Sequence, residues 1–495
     1  MPGALSAALD EACRSFAAAP ALCSESGESG PVSYAQLAGG ARDVATLLGH
    51  AGLQANEPVH VQVSNQPLDI VALFGVWLAG GVAVALHRST PPSVAAALQE
   101  RTGARFLVDL RTPRPDAAAL VTMSAKPPPR RALLDDAGLI IFTSGSTGAP
   151  KGVVIAHDAF LGKIRQIDTL LGFGPDDRVL LVLNITFAFG LWLSLLTLLR
   201  GGTLVMAPKF EAGAFLRALL AERITRVGMV PTMMRVVHAH PGHEAAIDRV
   251  VQQGLLGQIL IGGESLGLSL AESIRRRFTN TMLVDIYGLT ETSTCDFFAF
   301  PADFARHPGS IGRPSPHVRH RIVDALGNGV AAGAVGELQI RSPYLMQGYL
   351  DDAPLTAASY SDGWLRTGDI ARDLDGGIVE LMGRLKEMIS RGGNKVTPVE
   401  IEQAICSHAD VAAAMAVGIA DAVLGERIHV LIVARAGASL GLDQLREYLA
   451  SRLERFKQPD AYYLANALPL GRTGKADRGQ LRGLIASGAI APIRH

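Results

Sequence analysis

Residues 139–156, LIIFTSGSTGAPKGVVIA, decide the fold class, because two apolar runs flank a loop rich in glycine and hydroxyl groups. The runs LIIF and VVIA predict two buried strands. In the loop, the glycines let backbone N–H groups converge, the hydroxyls add donors, and Lys151 adds a positive charge. This combination predicts a cradle for a polyphosphate. The spacing differs from the GxxxxGK[ST] pattern of P-loop NTPases, so their chemistry is not inferred.

Around this loop, short apolar runs alternate with amphipathic segments from about residue 139 to residue 287. The runs are LIIF, GVVIA, VLLVL, TLVMA, VGMVP, ILIGG and MLVDIY. Leu270, Ile274 and Phe278 recur every fourth residue, which predicts a surface helix over residues 268–278. The alternation is typical of an α/β sheet with helices on its faces. We therefore expect an α/β fold with a large N-terminal domain of layered sheets and flanking helices.

The pattern changes to a small α+β unit after Gly383. Residues 397–400, TPVE, predict a helix start, because threonine can cap it and proline suits the first helical position. The strand-like runs VAAAMAVGI and IHVLIVA and a helical segment over 442–455 follow. We expect an N-terminal domain over residues 1–382, a hinge over 383–387 and a small, mobile C-terminal α+β domain over 388–495. The proline-rich segment 126–131 predicts an exposed loop or linker that separates an N-terminal unit from the part with the motifs.

The composition predicts a globular chain with a small-molecule partner. The 495 residues correspond to about three domain-sized units, and 48% of them are hydrophobic. The 46 basic residues balance the 46 acidic ones, so the net charge that drives nucleic-acid binding is missing. The four cysteines have no metal-ligand spacing, and the N-terminal segment is not signal-like. These features predict a reduced, cytoplasmic protein.

Residues 179–199 form an uncharged segment that is long enough to span a bilayer. Polar residues and a glycine interrupt it, and VLLVL followed by GLWLSLLTLL is more typical of a buried strand before a buried helix. We therefore expect no membrane span.

Four further motifs follow the glycine-rich loop. Residues 287–291 read YGLTE, residues 364–369 WLRTGD, residues 383–387 GRLKE and residues 469–475 PLGRTGK. Together with the loop, they resemble the motifs of the adenylate-forming superfamily, which includes acyl-CoA synthetases, peptide-synthetase adenylation domains and luciferases. The matched motifs extend over about two thirds of the chain, from residue 143 to residue 475.

The resemblance implies roles for the nucleotide-binding residues. Tyr287 stacks on adenine, Asp369 accepts hydrogen bonds from the ribose hydroxyls, and Arg384 lies near the ribose. Thr290 holds the α-phosphate and Glu291 binds Mg²⁺, a cation that takes oxygen ligands and usually few protein carboxylates. The implied ATP- and AMP-binding residues are Thr143, Ser144, Gly145, Ser146, Thr147, Gly148, Lys151, Gly263, Glu264, Asp285, Tyr287, Gly288, Thr290, Asp369, Arg384 and Lys475.

The resemblance also implies ATP-dependent chemistry in two steps. First, a carboxylate attacks the α-phosphorus of ATP to form an acyl-adenylate and pyrophosphate, while Lys475 bridges the carboxylate and the α-phosphate. The C-terminal domain then rotates about Lys386 and presents the face near Gly393, so that a thiol displaces AMP. The implied catalytic residues are Lys475, Glu291, Thr290 and the hinge residue Lys386.

An aryl or another apolar carboxylic acid is the expected substrate. Residues 187–190, FAFG, lie where the resembled family has its acyl-pocket wall, and they are similar to this stretch in benzoate-type CoA ligases. Amino-acid-activating relatives have an aspartate where this chain has Ala188, and an unpaired buried ammonium is costly. The expected acyl-pocket residues are Phe187, Ala188, Phe189, Gly190, Gly262, Leu289, Thr294 and Cys295.

The thiol acceptor stays open between two candidates. Coenzyme A is common in relatives of this organisation, and Arg391 with Lys395 beside Gly393 is a candidate basic patch for its nucleotide. The alternative is an acyl carrier protein with a phosphopantetheine thiol. ATP and Mg²⁺ are expected in both cases, and the sequence leaves open whether the chain forms a homodimer.

A remote alternative is a serine hydrolase. Residues 263–267, GESLG, match the GxSxG pattern of a nucleophile elbow, with Ser265 as the nucleophile. Such an enzyme would also need an acid and a histidine, for which Asp369 and His408 or His429 are candidates. In the resembled family, this segment instead lines the adenine pocket.

Overall fold

The structure is a computed structural model that describes residues 3–27, 30–112, 117–143, 150–239, 241–435, 437–438, 440–470 and 476–493. The helices within these ranges are α1 Ala4–Ser15, α2 Tyr34–His50, α3 Pro67–Leu78, α4 Pro92–Thr102, α5 His157–Leu171, α6 Ala188–Leu199, α7 Ala212–Ala221, α8 Pro231–Ala239, α9 Glu244–Gln253, α10 Leu268–Arg277, α11 Pro301–Arg306, α12 Ala353–Ala358, α13 Pro398–Cys406, α14 Leu442–Ala450 and α15 Arg478–Ala486.

The strands of the described chain are β1 Pro20–Ser24, β2 Val32–Ser33, β3 Pro58–Val63, β4 Val82–His87, β5 Phe106–Val108, β6 Leu120–Thr122, β7 Ala137–Thr143, β8 Lys151–Ala156, β9 Arg178–Leu181, β10 Thr203–Met206, β11 Arg226–Met229, β12 Gln258–Gly262, β13 Met282–Tyr287, β14 Phe297–Ala299, β15 Arg313–Pro314, β16 Arg319–Val323, β17 Gly336–Arg341, β18 Gly348–Tyr349, β19 Tyr360–Ser361, β20 Trp364–Asp373, β21 Val379–Arg384, β22 Ile389–Arg391, β23 Asn394–Val396, β24 Val411–Asp421, β25 Gly425–Ala434 and β26 Ala461–Leu464. All seven apolar runs predicted between residues 139 and 287 contribute to strands.

These strands form four sheets. A nine-stranded sheet has the order β15-β14-β13-β12-β11-β9-β10-β1-β2, and a seven-stranded sheet has the order β18-β8-β7-β4-β3-β5-β6. A five-stranded sheet joins β16, β17, β20 and β19, with β21 paired to β20, and another joins β23, β22, β25 and β24, with β26 paired to β25. Parallel strands with helical connections dominate the nine-stranded sheet, as expected for an α/β fold. The predicted fold class is confirmed.

The uncharged segment 179–199 forms most of β9 and all of α6. Both elements are buried: three of the four residues of β9 are buried, and Trp192 and Leu193 of α6 have no exposed surface. The prediction of a buried strand before a buried helix is therefore confirmed. Within the described ranges, no helix has both the length and the apolar character needed to cross a membrane.

The proline-rich segment 126–131 lies in an irregular, largely exposed connection. The predicted loop is confirmed, but the predicted separation is wrong. Strands β3 to β6 precede this segment and β7 and β8 follow it, yet all of them belong to the seven-stranded sheet. Pairing of β4 with β7 joins both sides of the loop, so the prolines mark a connection within one layered unit.

Residues from 389 onward have their own sheet and their own core. The core includes Ile389, Ile401 and Val430, all without exposed surface, and α13 and α14 pack on it. The predicted start of α13 is confirmed, since Thr397 Oγ1 accepts a hydrogen bond from the N–H of Glu400 at 3.4 Å. The helix predicted over 442–455 ends earlier, at Ala450, where side chains such as that of Ser451 hydrogen-bond to helix carbonyls.

Candidate active site

A cavity of about 1530 Å³ opens where the large sheets meet the C-terminal unit. It collects most of the predicted site residues, although they are spread over more than 240 positions of the chain. Those that line it are Thr143, Lys151, Phe187, Ala188, Phe189, Gly190, Gly263, Glu264, Asp285, Tyr287, Gly288, Leu289, Thr290, Glu291, Thr294, Cys295, Asp369, Arg384 and Lys386. The C-terminal unit adds further lining residues from α13, β24 and α15, so the cavity lies between both units.

Some predicted residues lie elsewhere. Gly262 ends β12 and is not among the described residues that line the cavity. A Cβ atom at this position would collide with the carbonyl oxygen of Ile286, so this glycine permits close packing of β12 against β13. Gly393 lies in the exposed turn between β22 and β23 with a φ of 80°. Residues 144–149 and Lys475 lie outside the described residues, and Leu470 and Ala476, on either side of that second gap, line the cavity.

One end of the cavity contains a network around Asp369. Strands β20 and β21 place Asp369 directly opposite Arg384, and the Arg384 guanidinium lies 3.1 Å from Asp369 Oδ1. The hydroxyl of Tyr287, at the end of β13, donates to Asp369 Oδ2 at 2.6 Å. Burial raises the pKa of Asp369, and the charge of Arg384 opposes this shift. Burial and then the charge of Asp369 raise the pKa of Tyr287, so its hydroxyl remains a donor.

A second carboxyl group lies on β13, the strand that carries Tyr287. Asp285 of β13 lines the cavity, and burial raises its pKa to about 7, while a hydrogen bond from the backbone N–H of Ile286 acts in the opposite direction. At neutral pH, this side chain therefore titrates and can present a protonated, donating carboxyl group.

Cationic side chains gather at the neighbouring wall. Lys151, Arg384 and Lys386 all line the cavity. Burial and then the charge of Arg384 lower the pKa of Lys386, and Lys151 contributes in the same direction. Mutual repulsion of this kind favours a bound polyanion, because its charge relieves the repulsion.

Tyr349 links this wall to Glu291 and was missed by the sequence analysis. Its hydroxyl donates to Glu291 Oε1 at 2.8 Å, and its ring centroid lies 5.5 Å from Lys151 Nζ. Strand β18, which carries Tyr349, pairs with β8, which begins at Lys151. No local sequence signal marks this tyrosine, because its partners are 58 and 198 residues away.

Glu291 and Thr290 supply oxygen atoms, the donor type that Mg²⁺ prefers. Both line the cavity beside Lys151, and among the described side chains the one hydrogen-bond donor to Glu291 is Tyr349. Among the described residues, no cluster of three or more histidine, cysteine or acidic side chains could hold a metal alone. The donor set therefore fits a cation that arrives with phosphate oxygens rather than one fixed entirely by protein ligands.

A further part of the cavity lining is apolar. Phe187 precedes α6, and the ring of Phe189 stacks on that of Trp192, with centroids 5.4 Å apart and an interplanar angle of 3°. Thr294 and Cys295 also line the cavity and are buried, and burial raises the pKa of the Cys295 thiol to about 12, so the thiol stays neutral. This part of the cavity can accept a flat apolar group. Position 188 is an alanine, so no carboxylate is present there to pair with an ammonium group.

The contacts of Ser265 do not support a hydrolase triad. Ser265 is exposed, while Asp369 is engaged by Tyr287 and Arg384. The ring of His408 packs on Tyr448, and that of His429 hydrogen-bonds to Tyr463. Neither described histidine contacts Ser265.

Comparison with known proteins identifies the family. The AMP-binding enzyme model matches residues 9–350, and the model of the AMP-binding enzyme C-terminal domain matches residues 400–475. The chain belongs to the AMP-binding enzyme family. The resemblance to the adenylate-forming superfamily is thereby confirmed.

Relatives of this AMP-binding enzyme align along nearly its whole length. Indoleacetate–CoA ligase of Aromatoleum aromaticum is 33% identical over 490 residues, which cover 92% of this chain and 93% of the relative. Feruloyl-CoA synthase of Amycolatopsis sp. is 30% identical over 466 residues, which cover 91% of this chain and 93% of the relative. The crystal structure of ATP-bound MatB from Rhodopseudomonas palustris superposes with a TM-score of 0.83 at 27% identity, over 98% of this chain and 99% of that one.

Proposed function

We propose that this enzyme is an AMP-forming acid–CoA ligase. It activates a carboxylic acid with ATP to an acyl-adenylate and then transfers the acyl group to the thiol of coenzyme A, which yields acyl-CoA, AMP and pyrophosphate. The observation that carries the proposal is the cavity, in which a nucleoside-type network, a cationic wall and an apolar end meet. The names of the two relatives, both CoA-dependent, support the same reaction.

The adenosine part of ATP binds at the Asp369 network. Asp369 accepts hydrogen bonds from the ribose hydroxyls, with Arg384 keeping its carboxylate charged and oriented. Tyr287 fixes the other oxygen through its hydroxyl and offers its ring face to adenine. Gly263, Glu264, Asp285 and Gly288 complete the adenine side.

The phosphates of ATP bind at the cationic wall. Lys151 and Lys386 offset the charge of the departing pyrophosphate, together with the loop over residues 144–149, and Thr290 donates to the α-phosphate. Glu291 and phosphate oxygens hold Mg²⁺, which when bound neutralises charge on the phosphates. Lys475 neutralises the charge that develops between the acid carboxylate and the α-phosphate.

Thiol transfer requires a second arrangement of the C-terminal domain. We place the hinge at residues 383–387, which include the last two residues of β21 and the short 3₁₀ turn Leu385–Glu387 before β22. Within it, Lys386 lies on the exposed side, and Glu387 contacts Arg478 of α15 at 3.0 Å. Because Glu387 follows the pivot, rotation about Lys386 carries Glu387 and Arg478 together, moves Lys475 away and presents the turn at Gly393.

The acid substrate is an aryl or arylalkyl carboxylic acid. The ring of Phe189 lines the cavity and is backed by the stacked, fully buried ring of Trp192, and Ala188 leaves no counter-charge for an α-ammonium group. The relatives named for indoleacetate and ferulate also act on acids with an aromatic ring, which supports this class.

The predicted basic patch for coenzyme A needs one correction. Arg391 donates to the carbonyl oxygens of Arg455 and Phe456 and pairs with Asp460, so it stabilises the C-terminal core. This leaves Lys395 as the exposed cation beside Gly393, and its ammonium contacts Ser390.

Acid-dependent exchange of pyrophosphate into ATP tests the proposal. We expect exchange with aryl acids, weaker exchange with fatty acids and none with α-amino acids, followed by thioester and AMP once coenzyme A is added. Exchange without a CoA thioester, but with loading of a phosphopantetheinylated carrier protein, would identify the other acceptor. Absence of exchange with every acid would contradict the proposed function, and phosphonate labelling of Ser265 would then test the hydrolase. A cytoplasmic location stays a prediction.

A further inference from the structure

The turn between β13 and β14 carries residues assigned to the phosphates of ATP and residues assigned to the acid pocket. Thr290 and Glu291 lie in its first part, a short 3₁₀ turn over Thr290–Thr292. The next three residues, Ser293, Thr294 and Cys295, have φ values of 57°, 79° and 49°. Positive φ is unfavourable for residues with a side chain, and most of all for β-branched threonine. Surrounding groups must therefore hold the turn in this conformation.

A fully buried ion pair lies behind this turn. Lys163 of α5 places its Nζ 2.8 Å from Asp296 Oδ1, and neither side chain has exposed surface. The other oxygen of Asp296 accepts from Thr292 Oγ1. Lys163 also donates to Ser315 Oγ at 3.4 Å, which in turn donates to the carbonyl oxygen of Cys295 at 3.2 Å. The cluster thus contacts the turn at positions 292, 295 and 296.

Stability alone is a poor explanation for such a pair. Taking two charges out of water costs about as much as their attraction returns, so a buried ion pair adds little net stability compared with apolar residues of similar size. What the pair provides is a fixed geometry, because both charges must keep their partners.

We infer that Lys163 and Asp296 are positioning residues for adenylation, an inference that rests on the proposed function. The pair holds the turn so that Thr290 and Glu291 face the phosphates while Thr294 and Cys295 face the acid. Tyr287 and Asp369 lie on strands β13 and β20, and the hydrogen bond from the Asp296 N–H to the Tyr287 carbonyl oxygen is a backbone contact that side-chain substitution keeps. Loss of the pair therefore impairs the reaction between acid and ATP and leaves nucleoside binding intact.

The test compares two double variants of the full-length enzyme. In Lys163→Met/Asp296→Asn, both charges are removed, and the amide can still accept from Thr292. The matched control is Glu57→Gln/Arg105→Met, which removes another ion pair with 2% and 9% exposed side chains. Glu57 and Arg105 lie in the part of the chain that the structure describes, and neither lines the cavity.

For Lys163→Met/Asp296→Asn, we expect the KM for the acid to rise at least fivefold and the kcat of pyrophosphate exchange to fall at least tenfold. The Kd of adenosine, which lacks the α-phosphate that Thr290 contacts, should stay within twofold of the wild-type value when measured by calorimetry. The control variant should keep all three parameters within twofold once corrected for its folded fraction. Unchanged kinetics, a parallel loss of adenosine affinity, or an equal loss in the control would each overturn the inference.

Ser315→Ala provides a milder variant if the double variant does not fold. It removes only the hydroxyl between Lys163 and Cys295, and we expect a threefold rise in the KM for the acid with an unchanged Kd for adenosine. An unchanged KM would overturn the inference. A wild-type enzyme without exchange on any acid would overturn the proposed function itself, and AMP binding distinguishes that outcome from an unfolded protein.

Discussion

Asp369 shows how single residues of this cavity gain their roles from distant partners. Both of its oxygens are engaged, one by Arg384 and one by Tyr287, which lies 82 residues earlier in the chain. A carboxylate with fixed orientation can accept two ribose hydroxyls without first being ordered by the ligand, which lowers the cost of binding. The tyrosine therefore matters through its hydroxyl as well as through its ring.

Tyr287→Phe separates these two contributions, because it keeps the ring and removes the donor to Asp369. A hydrogen bond to a charged group contributes about 1.5–3 kcal/mol, so we expect the KM for ATP to rise roughly tenfold or more, with a smaller change in kcat. Steady-state pyrophosphate exchange measures both constants. Tyr463→Phe is the control, since Tyr463 hydrogen-bonds to His429 in the C-terminal unit. An unchanged KM for ATP would show that the hydroxyl does not organise the site.

The raised pKa of Asp285 predicts that the free energy of unfolding depends on pH. Its pKa is about 7 in the folded chain, against about 3.9 for an unperturbed aspartate. Between pH 4 and pH 7 the folded state binds more protons than the unfolded state, so this residue makes the free energy of unfolding fall as pH rises. Asp285→Asn removes that penalty. We expect its Tm to exceed the wild-type Tm at pH 8, by roughly 2 °C, and to match it at pH 4. Asp443→Asn, at a 94% exposed side chain, should show no such difference in the same thermal scans.

At the scale of elements, the sequence predicts what is local and misses what is distant. The strands between residues 139 and 287 were predictable because each buried strand is a continuous apolar run, and the start of α13 was predictable from Thr397 and Pro398. Tyr349 and the pair Lys163–Asp296 were not, because partners 58 and 133 residues apart leave no periodic signal. The resemblance supplied the motif residues but none of these contacts.

Lys386→Pro tests the hinge element. Proline limits the backbone of residue 386 to a narrow φ range, and stiffening this position should hinder the rotation that thiol transfer needs. We expect thiolysis of supplied acyl-adenylate to fall at least tenfold while pyrophosphate exchange falls less than threefold beyond the control. Lys386→Ala is that control, since it removes the same charge without stiffening the chain. Equal thiolysis rates in the two variants would place the pivot elsewhere.

At the scale of the whole molecule, the cavity lies between two units with separate cores. Strands β22 to β26 and their core consist of residues from 389 onward, whereas residues on both sides of position 387 line the cavity. A ligand in the cavity therefore touches both units and links them. Arg384, Leu385 and Lys386 are exposed between them, so the connection is accessible when the units separate.

Limited trypsin digestion of the full-length enzyme makes this coupling measurable. Trypsin cleaves after arginine and lysine, and we expect the first cut at Arg384 or Lys386, which leaves one large fragment and one of about 110 residues. A non-hydrolysable acyl-adenylate analogue at saturation should slow this cut about tenfold, because cleavage follows the population of the open form. Cuts in the exposed loop over residues 126–131 should keep their rate and serve as the internal control. Equal slowing of cleavage at the hinge and in the loop over residues 126–131 would show that the analogue stabilises the whole chain. The inference that a ligand in the cavity links the two units would then be wrong.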